Sequence, residues 1–212
     1  MASTPEPLNP DQALQRLAAT LQRPGRTIIG LMGPPGAGKS TLSAHIAAHF
    51  GDLAQAVPMD GYHLANSELE RLGRRGRKGA PDTFDAWGFV ALLQRLRQQA
   101  PDEMVYAPEF RRTLKEPIAG AIPIAPDVRL LIAEGNYLGL DSGAWAGVAP
   151  LLDELWYVEV DDTLRRQRLT ARHIQFGRTP EDAARWVEVT DEPNARLIAG
   201  TRARAQCVVR LA

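Results

Sequence analysis

Residues 30–41 read GLMGPPGAGKST, and this stretch contains the residue types that bind phosphate groups. Gly33 to Ser40 match the pattern G-x-x-x-x-G-K-[ST] at every fixed position. In such a loop, backbone N–H groups and the start of the next helix surround the phosphates. Lys39 supplies a cation for the β- and γ-phosphates, and Ser40 supplies a hydroxyl for Mg²⁺. The predicted nucleotide-binding residues are Gly33, Pro34, Pro35, Gly36, Ala37, Gly38, Lys39, Ser40 and Thr41.

The residues around this loop support the same prediction. An apolar run at 26–32 predicts a buried strand before the loop, and residues 39–50 predict a helix after it. A GTPase would carry N-K-x-D after a later strand, and the chain has no such tetrapeptide. A mechanochemical ATPase usually needs more than 212 residues. A small-molecule kinase needs an acid near the acceptor hydroxyl, an acceptor pocket and arginines for the migrating charge.

Strand and helix patterns alternate along the rest of the chain. We expect residues 1–8 to be loose, Asn9 to cap a first helix, and 60–83 to form a long polar loop. Further strands are predicted over 56–59, 103–107, 128–135, 154–160 and 207–211, with helices over 85–99 and between about 161 and 205. This alternation predicts an α/β fold with a parallel sheet of about five strands and helices on both faces. The expected architecture is the three-layer sandwich of P-loop NTPases, as one domain over residues 1–212.

Composition limits the possible partners. The 25 basic and 25 acidic residues give zero net charge, so no overall field draws the chain to nucleic acid or to a membrane. A hydrophobic content of 44% is enough for a packed core. The single cysteine, Cys207, excludes an internal disulfide and favours a reducing compartment. No secretory signal is evident, so we expect a cytoplasmic protein.

Two acids and a group of arginines are candidate functional residues. Asp60 follows the second predicted strand, and Glu134 ends an apolar run. Strand ends in open α/β sheets face the ligand crevice, although Asp60-Gly61 could be an ordinary turn and Glu134 could simply end its strand. Arg165, Arg168 and Arg172 have the spacing of one helix face, which binds phosphate or is merely solvated.

An ordered set of motifs resembles one superfamily of P-loop kinases. The phosphate-binding loop is followed by MDGYH (59–63), KGAPDTFD (78–85), AEGNYL (133–138) and an arginine-rich helix at 165–178. The set is similar to the uridine kinase, pantothenate kinase and phosphoribulokinase superfamily, above all to bacterial nucleoside/nucleotide kinase or fructose-transport-system kinase proteins. The resemblance covers nearly all of the chain after residue 24.

The resemblance implies roles that the residues alone leave open. It makes Asp60 the catalytic base and places Glu134, with Ser40, in the Mg²⁺ and phosphate region. It makes the region of about 161–180 a helical lid, in which Arg168 and Arg172 stabilise the transferred charge. The residues that it implies on the acceptor side are Asp60, Tyr62, His63, Asp82, Asp85, Arg112 and Glu134. Asp85 could equally cap the following helix.

Two basic segments are harder to interpret. Residues 71–78 hold five cations, which form either a flap for an anionic substrate or a solvated loop. In PEFRRTLKEP (108–117), Arg111 stands where the superfamily pattern has an acid, whereas Arg112 keeps its position. This departure puts the acceptor contact at 111 in doubt, and a more anionic acceptor than a plain sugar is one explanation.

The sequence thus predicts an ATP-dependent, Mg²⁺-dependent kinase that phosphorylates a hydroxyl of a small metabolite. A sugar such as fructose, a nucleoside and a pantothenate-like compound all remain open as acceptors. The alternative is a nucleotide-binding regulatory module with little or no transfer activity. We expect no nucleic-acid or membrane partner, no zinc site, and a monomer or a homodimer.

Overall fold

The computed structural model describes residues 4–211, which form a parallel sheet covered by helices. Its eight strands are β1 (Glu6–Leu8), β2 (Thr27–Met32), β3 (Ala54–Pro58), β4 (Val105–Arg111), β5 (Glu116–Ile124), β6 (Leu130–Glu134), β7 (Glu154–Glu159) and β8 (Cys207–Arg210). The helices are α1 (Pro10–Leu21), α2 (Lys39–Phe50), α3 (Asn66–Arg71), α4 (Ala86–Arg97), α5 (Asp162–Gln175), α6 (Pro180–Trp186) and α7 (Glu192–Ala199).

Six strands pair in the order β1-β8-β7-β2-β6-β3, and all of these pairings are parallel. Every residue of β2 is buried, as expected for the centre of a sheet that is covered on both faces. Alternate side chains of β2 enter two separate cores: Ile28 packs in the cluster that contains α4, and Ile29 in the cluster that contains α1 and α2. The predicted parallel α/β sandwich is therefore confirmed.

The N-terminal segment differs from expectation. Residues 1–8 were expected to be loose, but Glu6–Leu8 form an edge strand that pairs with Cys207–Val209 of β8. The pairing is stabilised at the neighbouring helix, where Arg16 bonds both Glu6 and Glu154 of β7. Residues 1–3 lie outside the described part of the chain. The sheet consequently has six strands rather than about five.

Two further segments are more ordered than the sequence indicates. The polar loop at 60–83 contains α3 and three short 3₁₀ turns. The strand expected at 103–107 is longer, and it pairs with β5 in an antiparallel hairpin outside the main sheet. Prolines at 108, 117 and 123 and exposed polar residues obscure the alternation of this hairpin in the sequence. The hairpin packs against the turn that follows β3.

Candidate active site

The carboxyl ends of three adjacent strands bring the site together. Glu134 at the end of β6 is in register with Leu31 of β2 on one side and with Pro58 of β3 on the other. The phosphate-binding loop follows β2, and Asp60 follows β3. These register positions place the loop, Glu134 and Asp60 at one edge of the sheet, where open α/β sheets bind ligands.

The phosphate-binding loop has the backbone that its glycines allow. Gly36 has φ +81°, and a Cβ there would lie 2.8 Å from Leu169 Cγ and 3.0 Å from the Arg165 carbonyl oxygen. Only glycine combines this left-handed backbone with such a close approach of α5. Lys39 begins α2, and its Nζ donates to the carbonyl oxygens of Gly33 at 2.8 Å and Pro34 at 3.1 Å. Burial lowers the pKa of Lys39 to about 8, against the attraction of Asp60 and Glu134.

Ser40 and Glu134 form the arrangement expected of a Mg²⁺ site. The Ser40 hydroxyl donates to Glu134 Oε1 at 3.1 Å, while the buried Glu134 Oε2 has no hydrogen-bond partner within residues 4–211. Burial and the nearby Asp60 raise the pKa of Glu134, and the Ser40 and Lys39 groups oppose this rise. An unpartnered buried carboxylate oxygen beside a hydroxyl suits a cation. Residues 4–211 contain no cluster of three or more His, Cys, Asp and Glu side chains that could hold a metal, and Mg²⁺ bound with a nucleotide needs none.

Asp60 lies in a short 3₁₀ turn, Met59–Tyr62, that packs against the hairpin. A Cβ on Gly61 would lie 2.1 Å from the Pro108 carbonyl oxygen, so β4 can approach this turn only at a glycine. The approach brings Arg112, which follows β4, to 3.9 Å from the Asp60 carboxylate. Both side chains remain about half exposed, at 41% for Asp60 and 45% for Arg112. The hairpin thus contributes a cation to the site.

Three cavities that share lining residues surround these residues, and we name them nucleotide cleft, acceptor pocket and transfer cavity after the roles that the sequence predicts. The nucleotide cleft, of about 630 Å³, is lined by the phosphate-binding loop, Arg168 and Arg172. The acceptor pocket, of about 330 Å³, lies on the other side and is lined by Asp60, His63 and Lys78 among others. Between them lies a transfer cavity of about 80 Å³ that shares lining residues with both. Its charged lining residues are Lys39, Asp60, Arg112, Glu134 and Arg172.

The arginines of α5 divide into two groups. Arg168 and Arg172 line the nucleotide cleft, and Arg172 also lines the other two cavities. Burial and the nearby Arg112 lower the pKa of Arg172. Arg165 is buried and bonds Asp162 and Glu192, so it ties α5 to α7 instead of lining the cleft. The spacing predicted that Arg165, Arg168 and Arg172 share one helix face. In the structure Arg165 contacts α7, and only Arg168 and Arg172 line the cleft.

Several predicted acceptor residues do not line the acceptor pocket. Asp85 caps α4 by accepting the Gly88 N–H, which was the alternative role considered for it. Asp82 pairs with Arg74 and Arg77. Tyr62 packs edge-on against Phe89. The side chains of these three residues contact other groups, so the structure gives them no place in the lining of this pocket.

His63 lines the pocket as a packed aromatic ring. It lies 4.0 Å from the Phe84 ring and 4.5 Å from the Phe110 ring, measured between centroids, and its Nδ1 is 2.7 Å from the Asp60 carbonyl oxygen. Burial lowers the pKa of His63. The ring therefore stabilises the turn that contains Asp60.

One wall of the acceptor pocket was not foreseen. It comes from the end of α5 through α7 and includes a π-helical turn, Val187–Asp191. Pro193 lacks the N–H that an α-helix would direct to Val189, so the regular pattern is interrupted just before α7. The unforeseen lining residues of this wall are His173, Phe176, Arg178, Trp186, Thr190, Asp191 and Asn194. Pro193 was the available signal in the sequence. A proline at this place indicates an interrupted helix, and interruptions of the π-turn type often mark functional sites.

Comparison with known proteins links this arrangement to kinases. A Schizosaccharomyces pombe protein named "Putative uridine kinase C227.14" is 37% identical over 192 residues, or 85% of this chain and 80% of that protein. An Aspergillus versicolor protein named "ATP-dependent kinase-like protein notR'" is 41% identical over 132 residues, or 59% of this chain and 77% of that protein. The crystal structure of a "putative fructose transport system kinase" from Silicibacter sp. TM1040 matches with a TM-score of 0.85 at 37% identity, covering 95% of this chain and 98% of its own. No protein-family model matches the sequence.

Proposed function

Since this chain belongs to the P-loop kinases of the uridine kinase, pantothenate kinase and phosphoribulokinase superfamily, we propose that it transfers the γ-phosphate of ATP to a hydroxyl of a small metabolite. The kinase relatives support a small-molecule phosphotransferase. The hydroxyl acceptor and the roles of individual residues are the proposal.

The observation that carries the proposal is the transfer cavity. It shares Gly36, Lys39 and Ser40 with the nucleotide cleft, and Asp60 and Asn136 with the acceptor pocket. A nucleotide on one side and an acceptor on the other would therefore meet in a small space lined by both acids and cations. A protein that only bound nucleotide would not need a second pocket that opens onto the γ-phosphate position.

Each residue then has a defined task. Backbone amides of the loop and Lys39 bind the triphosphate, and Asp60 orients the acceptor hydroxyl and accepts its proton. The acceptor oxygen forms a bond to the γ-phosphorus as the bond from that phosphorus to the β,γ-bridging oxygen breaks, and ADP leaves with that oxygen. Arg112 and Arg172 stabilise the charge on the migrating phosphoryl group. Positioning and electrostatics supply the catalysis without a covalent intermediate.

Ser40 and Glu134 would hold Mg²⁺ beside the loop. When bound there, the ion neutralises charge on the phosphate oxygens. The hydrogen bond between the two side chains keeps both oxygens on the same side of the loop, and the unpartnered Oε2 of Glu134 stays available.

The acceptor class is the least constrained part of the proposal. The names of the relatives bring uridine and fructose forward as candidates, and pantothenate-like compounds follow from the superfamily.

No helix within residues 4–211 has the length and apolar character to span a membrane. A cytoplasmic location and a monomeric or homodimeric state stay predictions.

An acceptor screen tests this function. Purified protein is incubated with MgATP and single compounds from a panel of sugars, sugar acids, sugar phosphates, nucleosides and pantothenate, and both ADP and phosphorylated product are measured. We expect equimolar ADP and product with one class of acceptor. ATP binding without product from any compound would favour the regulatory module instead.

A further inference from the structure

The acceptor pocket has an excess of positive charge that the neutral chain as a whole does not have. Two carboxylates line it, and one of them, Asp191, is 2.7 Å from His173 Nε2. Six cationic side chains line the same pocket: Arg75, Lys78, Arg112, Lys115, Arg172 and Arg178. The local excess needs a physical explanation, because cations that face one cavity repel each other.

The transfer step explains only part of this excess. Arg112 and Arg172 also line the transfer cavity, where they face the migrating phosphoryl group. Arg75 lies 3.7 Å from the Glu70 carboxylate. The other three cations, Lys78, Lys115 and Arg178, have no carboxylate within 4.0 Å among residues 4–211. They are the part of the lining that the nucleotide chemistry does not use.

The basic loop at 71–78 shows the contrast within one segment. Its four arginines all pair with carboxylates: Arg71 with Glu68, Arg74 and Arg77 with Asp82, and Arg75 with Glu70. Lys78 instead donates to neutral oxygens, the Asn66 side-chain oxygen and the Lys115 carbonyl oxygen, both at 2.7 Å. Of the two cations of this loop that line the pocket, Arg75 is thus paired with a carboxylate and Lys78 is not.

Lys78 is held firmly in this position. The next residue, Gly79, donates its N–H to Thr83 Oγ1 at 2.9 Å, and its carbonyl oxygen accepts the buried Tyr137 hydroxyl. The Lys78 ammonium also lies 5.2 Å from the centre of the Phe110 ring. An ammonium group has three N–H donors, and two are used. The third remains for a ligand, and Lys78 lines the acceptor pocket.

Arg178, which lies between α5 and α6, lines the same pocket and also has no carboxylate partner within residues 4–211. Its guanidinium carbon lies 3.9 Å from the centre of the Trp186 ring, so the ring fixes the plane of the cation. A stacked guanidinium keeps its edge N–H groups for a carboxylate or a phosphate. Neutral groups that suit hydroxyls lie in the same pocket, namely Asn66, Asn136, Thr190 and Asn194.

From this lining we infer that the acceptor is an anionic polyol, a sugar acid or a sugar phosphate, whose anionic group is bound by Lys78, Lys115 and Arg178 while a hydroxyl faces Asp60. The inference rests on the proposed kinase function and narrows its substrate class. A pocket of about 330 Å³ has room for on the order of ten water-sized groups, because water takes about 30 Å³ in the liquid. That size suits a hydroxylated acid or a small sugar phosphate.

Matched pairs of acceptors test the charge directly. Glucose is compared with gluconate and with glucose 6-phosphate, glycerol with glycerate and with glycerol phosphate, and ribose with ribose 5-phosphate. We expect kcat/KM for at least one anionic compound to exceed that of its neutral partner by roughly tenfold or more, because hydrogen bonds to charged groups are stronger than those between neutral groups. The carboxylate and phosphate members of the glucose and glycerol sets identify the anion.

Lys78→Gln separates the pocket cation from the general charge of the loop. We expect this variant to raise the KM for the anionic acceptor by roughly tenfold with little change in kcat, and to leave the KM for ATP unchanged. Arg71→Gln is the matched control, because Arg71 belongs to the same loop, pairs with Glu68 and lies outside the pocket lining. Equal effects of the two variants would overturn the inference.

The outcomes distinguish this inference from the proposed function. Phosphorylation of neutral acceptors alone would overturn the inference and leave the kinase function intact. If no compound is phosphorylated, the kinase function fails, and calorimetric titration with gluconate and ribose 5-phosphate decides about the pocket. Binding that Lys78→Gln weakens and Arg71→Gln does not would still support an anion site, and no binding would overturn it.

Discussion

Lys39 extends its ammonium group to two carbonyl oxygens of its own loop, those of Gly33 and Pro34. Phosphate oxygens of ATP are stronger acceptors for this group, so Lys39→Ala should weaken ATP binding. We expect a loss of roughly ten- to a hundredfold, because a hydrogen bond to a charged group contributes about 1.5–3 kcal/mol. Isothermal titration calorimetry measures the affinity, and circular dichroism checks the fold.

The pH dependence of ATP binding provides a second readout for Lys39. Burial lowers the pKa of its ammonium group to about 8, so the cation is present below that pH and lost above it. ATP affinity should fall between pH 7 and 9 in the parent protein, and Lys39→Ala should lose most of this dependence. Equal affinity of the mutant and the parent at pH 7 would contradict the assignment of Lys39.

Glu134 can be tested by its dependence on Mg²⁺. Its unpartnered Oε2 and the neighbouring Ser40 hydroxyl are the proposed cation ligands. Glu134→Gln should raise the Mg²⁺ concentration for half-maximal activity by roughly tenfold or more, as loss of a group at a metal site commonly does. Glu103→Gln is the control, since Glu103 pairs with Arg95 on the surface. Unchanged Mg²⁺ dependence in the Glu134 variant would remove it from the metal site.

The sequence predicts individual residues best where a motif fixes the backbone. Gly33 to Ser40 could be interpreted fully, because strand, loop and helix must all fit the pattern. For the acceptor side, the sequence predicted which segments of the chain contribute, but not which side chains within them. Asp82 and Asp85 carry the expected charge, but local partners at Arg77 and Gly88 determine where they point. The sequence pattern does not show which partner each of these side chains contacts.

At the scale of elements, α5 presents different faces to different partners. Asp161 caps it, Arg165 and Arg166 bind Glu192, and Arg172 reaches the transfer cavity. The ion pairs with Glu192 thus hold α5 in a position in which Arg172 lines the transfer cavity. The sequence predicted the helix and its cations, but the buried pairing of Arg165 depends on α7, which is distant along the chain.

Arg172→Ala and Arg168→Ala test the role of α5 in transfer. Both should lower kcat more than they raise the KM for ATP, because their contacts matter most when charge develops in the transition state. We expect the larger loss for Arg172, roughly a hundredfold, since a donor aimed at developing charge commonly contributes that much. Gln167→Ala on the same helix is the control and should keep the parental activity, because Gln167 is exposed and lines none of the three cavities. Parental kcat in both variants would exclude a lid role.

The hairpin β4–β5 is the element that the sequence described least well. Its register shifts between Ala107 and Glu109, and it pairs with no strand of the main sheet. The structure nevertheless shows why it is present: it packs on the Asp60 turn at Gly61 and carries Arg112 to the transfer cavity. Long-range packing of this kind overrides local strand propensity.

For the whole molecule, the order of strands determines where the chemistry lies. Because β2, β6 and β3 are adjacent and parallel, residues far apart in sequence meet at one edge of the sheet. Alternation of strands and helices predicts this sheet without predicting its order. The edge strand β1 is only three residues long and lies in a proline-rich segment, so periodicity could not reveal it.

The distribution of charge is a second feature of the whole molecule, because the chain has zero net charge. Basic residues outside the site are largely paired, as with Arg16 and Arg202, whereas those at the junction of sheet, hairpin and α5 face cavities. The molecule concentrates its uncompensated charge where ATP and the proposed acceptor would meet. Asp60 lines both the acceptor pocket and the transfer cavity, so the proposed transfer depends on this one acid.

The transfer rate of Asp60→Asn at saturating ATP is the decisive measurement of this dependence. The amide can still accept a hydrogen bond from the acceptor hydroxyl, but it cannot take the proton. We predict unchanged ATP affinity and a transfer rate lower by on the order of a hundredfold, while the exposed Asp52→Asn control keeps the parental rate. An Asp60→Asn rate within a few-fold of the parent would contradict the account.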